Sequence, residues 1–229
     1  MQFLYGDREL IVSPRDLLEA PVDVIVNSTD VDLLHSEGLS EQISQSAGLH
    51  LKQESELLIK EYGAIDTGMV VYTTAGDLPH KAILHVISPR QGDGAEQQTI
   101  ELLVSRCLKL CEINDWSSIA FPAIGLGKSG VPLDKCAQGF FRSITHFWDA
   151  RHECNVEKIE LCITRNHFDA FFNAFREDAI ITDENTIQPQ VDSSEDRIGY
   201  VDLTDSDVAA SNEFDDWFSV NTNGKKTSD

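Results

Sequence analysis

Residues 118–130 run Ser118-Ile-Ala-Phe-Pro-Ala-Ile-Gly-Leu-Gly-Lys-Ser-Gly130 and lead through Val131 and Pro132 into a long amphipathic segment. Ile119, Ala120 and Phe121 make a short apolar run of the length a buried strand needs, and the glycines mark a turn. Pro132 marks the start of a helix, because proline is tolerated where no intrahelical N–H bond is required. A strand, a glycine turn and a helix start together suit an anion: the first helical N–H groups are unpaired, the macrodipole is positive there, and glycine lets the backbone come close. A diphosphate is the natural occupant. The Gly127-Lys128-Ser129 triplet imitates the end of a nucleotide-triphosphate loop, but that pattern requires glycine at position 122. Pro122 stands there, with φ fixed and no N–H to give.

Outward from this loop, short β-branched runs alternate with helical periodicity, the pattern of an α/β domain with a largely parallel sheet. Strands are expected at Leu10–Val12, Val22–Val26, Met69–Tyr72, Ala82–Val86, Ser118–Phe121 and Ile159–Ile163. Ile100, Leu103, Val104, Cys107, Leu108 and Cys111 follow i, i+3, i+4 spacing, as do Leu133, Ala137, Phe140, Phe141, Ile144, Phe147 and Trp148. Phe168, Phe171, Phe172 and Phe175 repeat it in a last helix, after which the apolar pattern stops at Arg176. The run Val22-Asp-Val-Ile-Val-Asn-Ser-Thr-Asp30 passes from an apolar strand into polar residues at its C-terminal end, where open α/β sheets collect ligands.

Charge divides the 229 residues in two. Residues 1–177 hold 26 acids and 15 bases, a net −11, and residues 178–229 hold 13 and 3, a net −10 in under a third of the length. The expected organisation is one domain over 1–177 and an acidic, disordered tail over 178–229, too poor in apolar residues to offset its ordering entropy. No Lys/Arg stripe exists that could neutralise a run of phosphates, so direct nucleic-acid binding is not expected. Five cysteines without a C-x-x-C pair suggest neither a disulfide framework nor a metal ribbon. The absence of a basic leader and of any long apolar stretch points to a reducing compartment, cytoplasm or nucleus, and away from a membrane.

These segments together resemble the macro domain family. Val22 to Asp30 is similar to the family's V-x-A-I-V-N-A-A-N signature, Phe121 to Gly130 to its F-P-A-[IL]-[SG]-x-G-x-x-G loop, and Leu78 through Pro89 to its L-P-x-K-x-[VI]-[IF]-H-x-V-x-P stretch. The resemblance runs in order over about residues 10–176. It implies a three-layer α/β/α domain with a mixed, largely parallel central sheet, and a ligand rather than a cofactor: ADP-ribose, free or carried on a mono-ADP-ribosylated protein, with no metal.

Residue by residue, the resemblance assigns Asp16, followed by Leu17, to the acid that accepts from the adenine amino group; the same carboxylate could equally cap the turn it begins. Ile124, Gly125, Leu126, Gly127, Lys128, Ser129 and Gly130 would cradle the diphosphate, with Lys128 either adding charge or facing solvent. Asn27 and Asp30 stand in the first signature. The loop His35-Ser-Glu-Gly-Leu-Ser-Glu-Gln-Ile43 matches the family's G-G-G-V-x-x-A-I and departs from it, since Ser36 and Glu37 replace glycines; Gly38, Leu39 and Ser40 still offer N–H groups ahead of a helix expected to run to about Glu61. Phe168 is the nearest aromatic to the adenine-stacking position, though its spacing also suits core packing.

Members that hydrolyse ADP-ribosyl esters commonly have Asn at position 30 and, in one branch, Asp at position 40. Here these are Asp30 and Ser40, and a serine is a poor base near neutral pH. Asp30 could accept from the distal ribose, act as a displaced general base, or be a plain surface acid. His35 and His85 are the nearby imidazoles, His85 inside an apolar strand that favours a core role. The expectation is a reader of ADP-ribose with weak or no hydrolase activity; a hydrolase using Asp30 and a ligand-free interaction module are the alternatives. In the tail, Tyr200-Val-Asp-Leu-Thr-Asp-Ser-Asp207 resembles a SUMO-interacting motif, so Val201–Asp207 could add a strand to a protein partner, and Glu213-Phe-Asp-Asp-Trp-Phe-Ser219 is a second acidic-aromatic patch.

Overall fold

The computed structural model describes residues 1–151 and 153–176 together with the strands 179–183 and 186–189. The strands are β1 (Gln2–Tyr5), β2 (Arg8–Ser13), β3 (Val24–Thr29), β4 (Val70–Thr74), β5 (Ala82–Ile87), β6 (Ser118–Pro122), β7 (Lys158–Cys162), β8 (Ala179–Asp183) and β9 (Thr186–Pro189). The helices are α1 (Gly38–Ala47), α2 (Leu49–Tyr62), α3 (Glu96–Ile113), α4 (Leu133–Ala150) and α5 (Phe168–Arg176). The sheet order is β4-β5-β3-β6-β7-β2-β1-β9-β8. β5, β3, β6, β7 and β2 are mutually parallel, β4 and β1 run antiparallel to their neighbours β5 and β2, and β9 lies parallel to β1.

Alternation along the strands builds a layer on each face. Ile25, Ile83 and Ala120 point to one side, where they meet Ile43 and Ala47 of α1, Leu51 of α2 and Leu17. On the other side Phe121 packs edge-on against Phe140 of α4 at 5.4 Å, and Phe140 meets Phe171 of α5 at 5.9 Å. Phe175 closes this layer against Phe3 of β1 and Phe141 of α4. The three-layer α/β/α arrangement expected from the sequence is present.

Three differences from the sequence reading have physical causes. The helix expected to run unbroken to Glu61 is two helices, because Gly48 takes φ +79° and turns the chain between α1 and α2. β1 pairs along its whole length with β2, but its four residues carry too little alternation to show in the sequence. Past Arg176, β8 and β9 pair with each other antiparallel and β9 pairs with β1, two strands the sequence reading did not expect. Runs of four or five residues with one or two isoleucines do not stand out against an acidic background. The tail segments at 201–207 and 213–219 lie outside the described residues. Among the described residues, no helix is long and apolar enough to cross a membrane.

α3 and α4 touch where Gly139 faces Ile100: a Cβ built on Gly139 would lie 2.9 Å from Ile100 Cγ2 and 3.2 Å from Gln97 O. Gly139→Ala is expected to lower the urea midpoint, since overpacking costs about 1–3 kcal/mol and exceeds the roughly 1 kcal/mol gained in helix propensity. An unchanged or raised midpoint would show that the two helices are free to separate.

Candidate functional site

The C-terminal ends of the parallel strands bring the predicted residues to one edge. β2 exits at Ser13 toward Asp16, β3 at Thr29 toward Asp30, β6 at Pro122 toward Ile124, and β7 at Cys162 toward Phe168. Two loops form the centre of this edge, residues 30–40 after β3 and 123–131 after β6, and the strands beneath them are neighbours, with Ile25 opposite Ala120.

The second loop is held by three turns of its own backbone. Leu126 N–H donates to Ala123 O at 3.4 Å, Gly130 N–H to Gly127 O at 3.1 Å and Val131 N–H to Gly125 O at 2.9 Å. Gly125 has φ +82°, and a Cβ there would lie 2.8 Å from Val131 Cγ2, so this position requires glycine on both counts. Among the described residues the N–H groups of Gly125, Gly127, Lys128 and Ser129 have no acceptor. Ser129 Oγ lies 3.1 Å from Ser88 Oγ, which accepts from Ser28 Oγ at 3.3 Å, and Gln91 N–H donates to Ser129 O at 2.7 Å. The loop is thereby pinned to the exit of β5, through hydroxyls whose partners could not be read from sequence.

The first loop passes through two left-handed non-glycine residues, Leu33 and His35, each at φ +50°, before Gly38 at φ +61° opens α1. The first bond of α1 is Glu41 N–H to Glu37 O, so the N–H groups of Gly38, Leu39 and Ser40 stand outside the helical ladder. These and the free N–H groups of the second loop place two sets of unpaired backbone donors at this edge, a chemistry that suits an anion. Glu37 and Lys128 reach across this edge: the Lys128 ammonium and the Glu37 carboxylate are 2.5 Å apart, on side chains 82% and 61% exposed respectively. Lys128 is thus both solvent-facing and charged toward the site, engaged by an acid that stands where the family pattern has glycine.

Beneath the first loop lies a buried polar network centred on Asn27, which is fully buried in β3. Its Nδ2 donates toward His85 Nδ1 at 3.1 Å and lies 3.2 Å from Ser40 Oγ and 3.3 Å from His35 Nδ1. His35 Nδ1 is 2.9 Å from Ser40 Oγ and its Nε2 is 2.9 Å from Ser55 Oγ of α2. Thr73 donates its hydroxyl hydrogen to Thr74 O, so it accepts from His85 Nε2–H at 2.9 Å, which leaves His85 Nδ1 bare to accept from Asn27. Burial holds the His35 and His85 imidazoles below the ordinary histidine range, His85 well below it with the neighbouring His35 adding to the effect. Their rings are 5.0 Å apart. His85 is therefore a satisfied core histidine.

Several predicted side chains have structural partners. Asp30 Oδ1 accepts from the N–H groups of Asp32 at 3.0 Å and Leu34 at 3.1 Å, closing the turn at the start of the first loop. Asp16 Oδ1 accepts from Leu18 N–H at 3.0 Å and caps the turn Leu17–Glu19, while Leu17 itself is buried in the core. Phe168 is the half-buried first residue of α5, at the same sheet edge as Asp16. Among the described residues no group of His, Cys, Asp and Glu is arranged to hold a metal. An open depression of about 390 Å³ lies at the opposite, N-terminal edge of the sheet between Pro21, Pro79, His80 and Ser118, and holds none of the predicted residues.

The family model for the macro domain matches residues 26–140. The chain is a macro domain protein. It is 35% identical over 134 residues to an O-acetyl-ADP-ribose deacetylase of Salmonella typhimurium, an alignment covering 58% of this chain and 75% of that protein. It is 31% identical over 172 residues to the human protein mono-ADP-ribosyltransferase PARP14, covering 73% of this chain but only 10% of that much longer protein. The solved Oceanobacillus iheyensis macrodomain with ADP superposes with a TM-score of 0.72 at 22% identity, over 77% of this chain and 95% of that one. The family match spans residues 26–140, and both loops described above, 30–40 and 123–131, lie within it.

The imidazole network makes stability pH-dependent in a definite sense. The unfolded histidines take up protons near pH 6.5, before the buried ones do, so the network's contribution is complete above about pH 6.5 and is lost as pH falls through the depressed folded values. The urea midpoint should fall between about pH 7.5 and pH 5.5, and fall less steeply in His85→Gln. A level midpoint over that interval would mean that the two imidazoles take up protons as readily in the fold as in the unfolded chain.

Proposed function

We propose that this macro domain binds ADP-ribose, free or attached to protein, as a reader, with weak or no hydrolytic activity. The observation that carries the binding half is the set of backbone N–H groups on Gly38–Ser40 and on Gly125, Gly127, Lys128 and Ser129 that have no acceptor among the described residues. Two phosphates of a nucleotide diphosphate supply acceptors for just such a set. The relatives support the choice of nucleotide: the deacetylase acts on O-acetyl-ADP-ribose by name, and the superposed Oceanobacillus domain holds ADP.

The reader half rests on how the polar groups are committed. Ser40, at the position of the loop acid in one hydrolytic branch, is 7% exposed and donates to Thr29 Oγ1 at 3.1 Å. His35 is bonded at both ring nitrogens, and one oxygen of Asp30 is taken by two backbone donors. A general base must be free to take a proton from a water or hydroxyl on the substrate. Only the second oxygen of Asp30 fits that description among these groups, which is why Asp30→Ala is the decisive variant.

Calorimetric titration of the whole chain with ADP-ribose, ADP and ATP, alongside release of ADP-ribose from an automodified protein, tests both halves. ADP-ribose is expected to bind without Mg²⁺ and with ATP weaker, and release is expected at background. No heat with saturating ADP-ribose would end the binding proposal, and turnover that vanishes in Asp30→Ala would replace the reader with a hydrolase.

The Glu37 carboxylate sits at the edge where a diphosphate would lie and occupies Lys128. Glu37→Gln should therefore tighten ADP-ribose about three- to tenfold at low ionic strength, with the gain shrinking in high salt as screening weakens the repulsion. An affinity unchanged at low salt would place the diphosphate away from the first loop.

A further inference from the structure

β7 carries a carboxylate where its neighbours carry apolar side chains. Glu160 stands in register with Ala120 of β6 and Ile11 of β2, and its side chain is 1% exposed. A charge at the centre of a parallel sheet is tolerated only when partners compensate its lost hydration. Its hydrogen bonds come from the segment by which β2 leaves the sheet. Ser13 Oγ donates to Glu160 Oε1 at 2.7 Å and Arg15 Nε donates to the same oxygen at 3.0 Å, while Lys158 Nζ stands 4.0 Å from Oε2. Oε2 itself accepts no hydrogen bond among the described residues.

The residue after Arg15 is Asp16, whose backbone is extended at φ −64° and ψ 131° and whose Oδ1 caps Leu18 N–H. The Arg15-Asp16 dipeptide is thus tied on one side to a buried strand through Glu160 and on the other to the turn Leu17–Glu19. In the G-D-[IL] pattern a glycine precedes the acid; here an arginine does, with its partner 145 residues away. A bond from the exposed exit segment to the sheet interior fixes where the Asp16 carboxylate stands relative to β7, and the diphosphate loops after β3 and β6 take no part in it.

We propose that Glu160, acting through Arg15, is a positioning residue for Asp16 and so sets the base selectivity of the nucleotide site. This rests on the nucleotide-binding reading above. The Asp16 oxygen not used by Leu18 is a pure acceptor, which rewards the amino group of adenine and repels the carbonyl that hypoxanthine carries at the same position. Such discrimination depends on distance and direction, because a hydrogen bond to a carboxylate weakens steeply when bent or stretched. Without the Arg15–Glu160 bond the exit segment keeps its turn, the Arg15 N–H bond to Ser13 Oγ at 3.4 Å and the buried Leu17, but loses the side-chain tie that fixes the direction of Asp16, and the reward for adenine is lost while the diphosphate contacts remain.

The test is titration of the whole chain with ADP and with inosine diphosphate, which share the diphosphate and differ at the base. The unaltered protein is expected to favour ADP by about tenfold. Arg15→Ala, which alters a half-exposed side chain, and Glu160→Gln, which keeps the shape of the buried one, are each expected to weaken ADP until the two ligands agree within about twofold, with inosine diphosphate unchanged; Arg15→Lys should retain an intermediate preference. A protein that binds neither ligand removes the nucleotide site and this proposal with it. A protein that binds both equally, or variants that keep the preference or lose both ligands in parallel, overturns the positioning role while nucleotide binding stands.

Discussion

The amide of Asn27 governs the arrangement of the first loop. It is fully buried on β3, between β5 and β6, and its Nδ2 reaches His85 on β5, His35 in the loop and Ser40 in the first turn of α1. A buried amide left without partners costs about 1–3 kcal/mol per group, against about 0.5–1.5 kcal/mol net for each bond made. The asymmetry matters more than the sum. Any movement of the loop that opens these bonds strands several buried groups at once, because Ser40, Thr29 and Ser55 depend on His35 for the same satisfaction. The first loop is thus placed by polar contacts beneath it together with the apolar packing of Ile43, Ala47 and Leu51 in the layer of α1 and α2.

An acidic chain that holds a diphosphate needs donors other than side-chain cations. With 39 acids against 18 bases the long-range field repels phosphate. Backbone N–H groups supply the attraction over a range of one hydrogen bond, and screening confines the repulsion to about 8 Å at physiological salt. Lys128 is the cation at the edge, and it is already bonded to Glu37. An exposed pair of this kind contributes about 0–1 kcal/mol, so a phosphate can displace the glutamate at small cost. The same pair joins the two loops across the site, and its effect is on the affinity of what enters rather than on the stability of the fold.

Much of this was legible in the chain. The six strands expected from β-branched runs are all present, their edges shifted by at most three residues, because apolar clusters between polar turns have few other ways to be buried. The glycine loop and the acid-ended strand were readable because each needs a residue type that declares itself: glycine at the φ +82° of position 125, or a polar run directly after an apolar strand. Asp16 and Asp30 were assigned from the family pattern to the ligand; their side chains hold turns, a role the sequence reading weighed for Asp16 as a cap and did not foresee for Asp30. The hydroxyl chain Ser28–Ser88–Ser129, the Asn27 network and the Glu160–Arg15 bond were illegible for one reason. Each joins residues tens of positions apart through polar atoms, and polar residues carry no periodicity that records their partners.

Leu33 and His35 bring the energetics of the first loop together. Each holds φ +50°, a conformation that costs a side-chain-bearing residue of order 1–3 kcal/mol and that glycine would adopt freely. For His35 that cost is matched by its two short contacts, 2.9 Å to Ser40 Oγ and 2.9 Å to Ser55 Oγ, and by the burial of its ring at 4% exposure. Leu33 has no such bonds, and its side chain, 3% exposed, draws on apolar burial worth roughly 1.5–3 kcal/mol instead. A run of glycines would reach the same backbone with no strain and no ties, at the expense of ordering the loop afresh whenever a ligand binds. Side chains that oppose the backbone's preference but are locked underneath give a loop whose N–H groups are in place before the ligand arrives. Exchanging two glycines for Ser36 and Glu37 beside the locked His35 therefore trades freedom of approach for preorganisation, and the acidic one of the two decides how much of that gain a phosphate can use.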